Sequence, residues 1–169
     1  MGCTQTLSGL AKDCSPSMGG IVEVYIANFD DVTAKVITDG KISAITMASG
    51  ATFKTYYFPK NTGSLTSTYN IADGGNKYVS SDLVLLFSRM ETAKRVEITA
   101  LAVGDLAVIV KDANGKFWYL GFDEGVNLSA GDGQTGTARG DANRYSITLQ
   151  DNSWEMPYEV DGSIIAGLL

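Results

Sequence analysis

Apolar positions along this chain change their period several times, and each change marks an element. Between Ser88 and Phe122 the spacing passes from helical to strand-like. Ala93, Val96, Ala100 and Val103 recur at steps of three and four, which predicts an amphipathic helix with a narrow stripe of small side chains that can lie close on a sheet. Ser88, three residues ahead of Glu91, has capping-box spacing at the helix start. Gly104 predicts the stop, through a residue in the left-handed conformation. Leu106 to Val110 is a dense apolar run and Lys116 to Phe122 an aromatic-rich one. Asn114-Gly115 between them predicts a hairpin with a two-residue turn.

The rest of the chain reads mostly as strands. Ile21 to Ala27 alternates, with Ile21, Glu23 and Tyr25 on one face and Val22, Val24 and Ile26 on the other. A turn with a short helical piece covers residues 28–33. Asp39-Gly40 is a turn signal, Lys41 to Met47 predicts a second strand and Ala51 to Phe58 a third, ended by Pro59 because proline cannot donate to a ladder. Residues 60–77 are polar but keep alternation through Leu65, Ser67, Tyr69 and Ile71, so residues 51–78 are expected to form a long hairpin arm. Tyr78 to Phe87 is apolar on both faces in its second half and should be covered on both sides.

Glycines at 125, 131, 133, 136 and 140 make residues 123–143 the longest expected loop. Arg144 to Gln150 alternates cleanly, and Trp154 to Val160 reads as an edge piece interrupted by Pro157. Residues 1–20 form an irregular arm with a turn of helix near Leu7–Ala11. Residues 162–169 are an apolar tail. Such a terminus must cover its own sheet or dock on a neighbouring subunit, and docking is the expectation, since free ends are normally polar. Together these elements predict one domain over residues 1–169. It is mainly β with one flanking α-helix, built as a β-sandwich or a partly closed barrel.

Composition narrows the chemistry more than the fold. A chain of 169 residues with 44% hydrophobic content can bury a core without a metal or a disulfide. No window reaches the ~20 apolar residues of a membrane span, and the N-terminus lacks the pattern of a secretory signal. The net charge of −6 argues against a protein that grips nucleic acid through its phosphates. The absence of histidine removes Ser-His-Asp and Cys-His nucleophile systems and His-based metal sites. Cys3 and Cys14 alone cannot close a structural zinc site, and free thiols are expected for a cytosolic chain. Met1-Gly2-Cys3 begins an acylation-like pattern, but nothing downstream is polybasic, so no membrane anchor is expected.

Local motifs carry little. Gly131-Asp132-Gly133-Gln134-Thr135-Gly136 matches a dinucleotide fingerprint, yet the residues after it read as loop and strand rather than helix. Arg139-Gly140-Asp141 spells an attachment tripeptide within a glycine-rich loop. Asp123, Glu124 and Asp151 are conceivable as paired carboxylates for glycoside hydrolysis, and Asp112 to Gly115 as part of a calcium loop. Both suit turn formation better. No enzyme site, cofactor or metal is expected.

Residues 111–161, KDANGKFWYLGFDEGVNLSAGDGQTGTARGDANRYSITLQDNSWEMPYEVD, resemble small virion proteins of tailed bacteriophages, most of all those of gut Bacteroides-type bacteria. The order of features carries the likeness: the hairpin and aromatic strand, the glycine-rich loop closing on Gly136-Thr137-Ala138-Arg139-Gly140-Asp141, the strand from Tyr145 to Leu149, and the final Pro157-Tyr158-Glu159-Val160. The helix around Lys94–Ile98 and the opening from Gly20 to Phe29 belong to the same pattern. The resemblance implies a tail-tube or tail-connector ring protein, a helix-flanked β-sandwich that closes into rings, commonly hexameric. Such rings stack around a channel through which DNA passes without specific binding. Its partners would be copies of itself and other tail proteins, with no membrane. Its place would be the virion tail after assembly in the host bacterial cytoplasm.

Residues expected at neighbouring subunits are Phe53, Tyr56, Leu65, Tyr69, Ile71, Val126, Leu128, Ile164, Ile165 and Leu168. Alternatives are a head-completion ring or capsid decoration protein or, in another class, a host- or carbohydrate-binding module using Trp118, Tyr119, Trp154 and Tyr158.

Overall fold

The computed structural model describes residues 4–169. Eleven strands and one helix succeed one another in the order β1 (Ile21–Asn28), β2 (Val32–Thr38), β3 (Lys41–Met47), β4 (Lys54–Tyr56), β5 (Ser64–Ile71), β6 (Lys77–Ser88), α1 (Thr92–Val103), β7 (Leu106–Asp112), β8 (Phe117–Leu120), β9 (Asn127–Gln134), β10 (Arg144–Ser153) and β11 (Tyr158–Val160). They build two open sheets. One has seven strands in the order β2-β3-β11-β8-β7-β1-β4, and the other has four in the order β5-β6-β10-β9. Neither closes into a barrel. The larger sheet is mixed through the parallel β3–β11 pair, and the smaller is antiparallel throughout.

The two sheets share one core. Val24 and Ile26 of β1, Val108 and Val110 of β7, Leu83 and Leu85 of β6, and Ile147 and Leu149 of β10 are almost completely buried in it. The opposite face of the larger sheet carries a second core of Tyr25, Ile42, Ile109 and Tyr119, closed by Phe53, Ile165 and Leu168. β7 is therefore buried on both faces along most of its length, and β1 beside it is buried on both faces from Val24 to Ala27. The sequence places that role on Tyr78–Phe87, but β6 buries Val79, Ser81, Leu83, Leu85 and Phe87 and leaves Val84 and Leu86 half-buried on its other face. Ser81 tolerates full burial because its hydroxyl lies 2.7 Å from that of Ser67 on β5.

Several expectations are corrected by tertiary contacts. The register of β1 against β7 shifts between Ile21 and Glu23, so Ile21 joins Val24 and Ile26 in the core and Val22 is exposed. A bulge of this kind re-aims one residue without breaking the strand. Residues 32–33, expected at the end of a turn, and residues 34–38, unassigned from the sequence, form edge strand β2. The segment 51–58 yields only the three residues of β4. Residues 127–134 of the expected glycine-rich loop are strand β9, since Gly131 and Gly133 have enough β-neighbours on β10 to pair without a side chain. Trp154 to Val160 is not an edge, because β11 lies between β3 and β8.

The helix ends where expected but differs in detail. Glu91 is its N-cap and makes no side-chain cap bond, while Ser88 is the last residue of β6, so the capping box does not form. Gly104 succeeds the helix with φ −103°, an ordinary extended residue. Ile98 and Leu101 face the core, and the small stripe of Ala93, Val96, Ala100 and Val103 faces outward. Larger side chains win the buried face because they remove more apolar area from water. The Asn114-Gly115 turn is one residue longer than expected: Gly115 is left-handed, Asn114 is not, and Asp112 Oδ1 accepts from the backbone N–H groups of Asn114 and Lys116.

The C-terminal tail covers its own sheet. Asp161 caps a 3-10 turn over residues 162–167, and Ile165 and Leu168 are each 6% exposed. The expectation that this tail docks on a neighbour is overturned, since its apolar side chains fill the second core. Residues 4–20 form an exposed arm with no regular structure, so the expected helical turn near Leu7–Ala11 is absent. Its root is held by the β7–β8 turn. Met18 N donates to Asn114 Oδ1 at 2.8 Å, Asn114 Nδ2 donates to Met18 O at 2.9 Å, and Ala113 N donates to Gly20 O at 3.0 Å. Cys14 is exposed. Cys3 and the acylation-like start lie outside the described residues. No helix among them is long and apolar enough to cross a membrane.

Two positions test this architecture. Gly121 has φ +83°, and a Cβ there would stand 2.8 Å from the backbone oxygen of Leu106. Gly121→Ala is expected to destabilise the fold by roughly 1–3 kcal/mol in chemical denaturation. Glu159 accepts from Lys41 and Lys116, both at 2.9 Å, and joins β3 and the β7–β8 hairpin to β11. The bonds from Lys116 and then Lys41 hold its carboxyl below the ordinary 4.5. Its stabilisation is present above that value and is lost as pH falls through the lowered one. Glu159→Gln is therefore expected to shrink the loss of melting temperature on acidification below 4.5.

Candidate subunit interface

The four-stranded sheet has two free edges, β5 and β9. Residues 64–71 read SLTSTYNI and residues 127–134 read NLSAGDGQ. Neither strand contains Lys, Arg or Pro, and only Asp132 carries a charge. Eight-residue edges of this kind present unpaired N–H and C=O groups with none of the usual devices that prevent strand addition. By contrast β4, one edge of the larger sheet, is three residues long and leads at Pro59 into a chain that cannot extend the ladder.

Register sorts the faces of this sheet. Leu65, Leu83, Leu149 and Leu128 pair across the strands and point to the core. Thr66, Thr68 and Asn70 of β5, Tyr78, Ser80 and Asp82 of β6, Ser146, Thr148, Gln150 and Asn152 of β10, and Ala130, Asp132 and Gln134 of β9 therefore share the outer face. Gln150 Nε2 donates to Asp82 Oδ1 at 2.9 Å across the two central strands. The charged residues of this face are Asp82, Asp132 and Arg144. It is a hydroxyl- and amide-rich surface with two carboxylates against one guanidinium, no cluster of cations, and Val84 and Leu86 half-buried among the polar groups.

The ten residues expected at a neighbour divide into three groups. Phe53, Val126, Ile165 and Leu168 are buried within their own chain, and Ile164 is half-buried beside them. They offer a neighbour no surface, because each fills a gap in a core of the same chain. Tyr56, Leu65 and Leu128 are partly buried against the inter-sheet core, and the Tyr56 hydroxyl donates to the Glu97 carboxylate on α1. Tyr69 and Ile71 are 60% and 73% exposed at the far end of β5, where the β5–β6 hairpin runs past the body. The arm adds Leu7 and Leu10, both essentially fully exposed. The sequence missed the length of β9 as an edge. A register shift between Leu128 and Ala130 and the glycines at 131 and 133 hide its alternation.

The other chemical candidates fall where turns need them. Asp141 accepts from the backbone N–H groups of Thr137 and Ala138 at 2.8 and 2.7 Å, which depresses its pKa and makes the Arg139-Gly140-Asp141 element a closed turn. Residues 131–136 run from β9 into a turn and then β10, without the helix a pyrophosphate site requires. Of the aromatics considered for stacking, Tyr119 is buried, Trp118 and Tyr158 are half-buried and Trp154 is 74% exposed. Asp123 and Asp151, far apart in sequence, line one cavity. Comparison with known proteins returns no matching family, no matching curated protein and no matching solved structure.

Tyr69 and Ile71 lie outside the core, so Tyr69→Ser with Ile71→Ser is expected to change unfolding free energy by less than about 0.5 kcal/mol. The same variant should lower the binding of an apolar fluorescent dye by the native protein.

Proposed function

We propose that this protein is a non-catalytic structural subunit that assembles into rings and stacked tubes, the tail tube of a tailed bacteriophage. The observation that carries this reading is the pair of long, unpaired edges on the four-stranded sheet, with Asp132 their single charge. Its strands alternate in direction, so β5 and β9 run opposite ways. Rotation about an axis parallel to the strands preserves those directions. The β5 edge of one copy then meets the β9 edge of the next in antiparallel fashion, the pairing that uses perpendicular hydrogen bonds. Repetition around a closed ring leaves no edge unpaired and continues one sheet from copy to copy.

The resemblance in residues 111–161 supplies the setting, a phage tail with a DNA channel. The outer face of the four-stranded sheet suits the wall of such a channel. It carries few cations to hold phosphates, and the chain as a whole is acidic, with net charge −6. The arm with Leu7 and Leu10 and the hairpin end with Tyr69 and Ile71 are then contacts between successive rings. Partners on this reading are copies of the same chain and other tail proteins, and the location is the virion.

The test is negative-stain electron microscopy with light scattering on one purified sample. Rings or tubes with a central hole are expected. Thr66→Asp with Thr68→Asp places two carboxylates on the β5 edge, opposite Asp132 of the adjoining copy, and is expected to leave a folded monomer. A monomeric wild-type protein at high concentration would remove the ring reading. Rings that persist in the double variant would move the junction away from these edges.

A further inference from the structure

A cavity of about 180 Å³ opens where the ends of β8 and β10 meet the segment 154–158. Its lining includes Asp151, Asp123, Tyr119, Phe122, Trp154 and Tyr158. Asp151 is 2% exposed and Tyr119 1% exposed, and neither Asp151 Oδ1 nor the Tyr119 hydroxyl oxygen has a hydrogen-bond partner. Two unpartnered polar atoms in one place are costly, at roughly 1–3 kcal/mol each and more for a charged group. The Ser153 hydroxyl beside them donates to Glu155 O at 3.0 Å. Among the described residues no Lys or Arg forms an ion pair with Asp123, Asp151 or Glu155. Lys35 lies within Coulombic reach of Asp123 and Asp151 but forms no ion pair with either. Its ammonium donates to Phe122 O at 2.8 Å and lies 4.7 Å from the Phe122 ring centroid.

We propose that this cavity binds a primary alkylammonium group, the charged end of a lysine side chain or of a free amine, with Asp151 as its counterion and the exposed Trp154 along its alkyl chain. The chemistry matches on each count. An ammonium has three donors and no acceptor, which suits an unpaired carboxylate oxygen and a hydroxyl oxygen together. The Phe122 ring packs against the Tyr158 ring at 4.7 Å between centroids and carries the Lys35 ammonium over it, so the wall beside Asp151 is already one that accommodates a cation. The volume is far above the ~10–15 Å³ that one water requires. A neutral sugar would leave the buried carboxylate uncompensated. A metal ion fits less well, because no three carboxylate or thiol groups converge among the described residues. Burial, reinforced by the Asp123 and Glu124 charges and opposed in part by the Gly121 backbone N–H and the Ser153 hydroxyl, raises the pKa of Asp151.

The test uses the full chain with Trp118→Phe, which leaves Trp154 as its one tryptophan. Fluorescence is followed during titration with n-butylammonium chloride at matched ionic strength. A saturable change is expected, with no equivalent change for the isosteric n-butanol. Asp151→Asn should weaken binding about tenfold or more, as removal of a charged hydrogen bond does. It should melt no lower than its parent, because it removes an unpaired buried charge. Asp123→Asn, at the cavity wall, should weaken binding to a lesser degree. Absence of a saturable change, an equal response to n-butanol, or unchanged binding in both variants would overturn the proposal. Light scattering of the assembled protein in n-butylammonium separates the two sources. Loss of mass identifies a lysine of a second copy, and unchanged mass identifies a free amine.

Discussion

Burial of β7 on both faces is the constraint that the rest of the fold satisfies. Leu106, Val108 and Val110 point toward the four-stranded sheet, and Ala107 and Ile109 point the other way. Each large side chain among them contributes on the order of 1.5–3 kcal/mol when fully removed from water. One layer therefore cannot serve this strand. The four-stranded sheet covers the first face. The second is covered by whatever chain remains, which is the Phe53 segment and the C-terminal 3-10 turn. That is why an apolar terminus ends up inside its own subunit.

The consequence is a division of labour between the sheets. The larger one is closed off by loops and turns on its outer face, and its edges are short or bulged. The smaller one keeps a wet outer face and two long bare edges. A chain that protected every edge would read as a monomer. This one protects the larger sheet and leaves the smaller open, which is the physical ground for treating it as an assembling subunit. The arm and the β5–β6 hairpin end extend that reasoning, since both hold apolar side chains away from any core of their own chain.

Much of the architecture was legible. The Lys41–Met47 strand, the 106–120 hairpin, the alternating strand through Leu65 and Ser67, and the single helix all derive from local period and turn residues. What was misread shares a cause. The helix stripe at Ala93, Val96, Ala100 and Val103 has the right period, but Ile98 and Leu101 have the same period one step round and more area to bury. Gly131 and Gly133 look like loop residues because glycine is permissive, yet β10 beside them supplies a ladder. The bulge at Ile21 reverses one residue of an otherwise correct alternation. At the candidate interface, Tyr69 and Ile71 were legible as apolar residues in a polar arm. Phe53, Val126, Ile165 and Leu168 were not separable from them, since an apolar side chain looks the same in sequence whether its own chain or a neighbour covers it.

By itself, the sequence determined the class of elements, their approximate limits, and the chemistry that a chain without histidine lacks. Those properties depend on neighbours within a few residues: period, turn propensity and composition. Tertiary structure alone decided which strands are covered twice, which edges stay open, and that Asp123 and Asp151 line one cavity beside Tyr119. Those depend on contacts between segments tens of residues apart, where long-range packing chooses among faces that local spacing leaves equivalent.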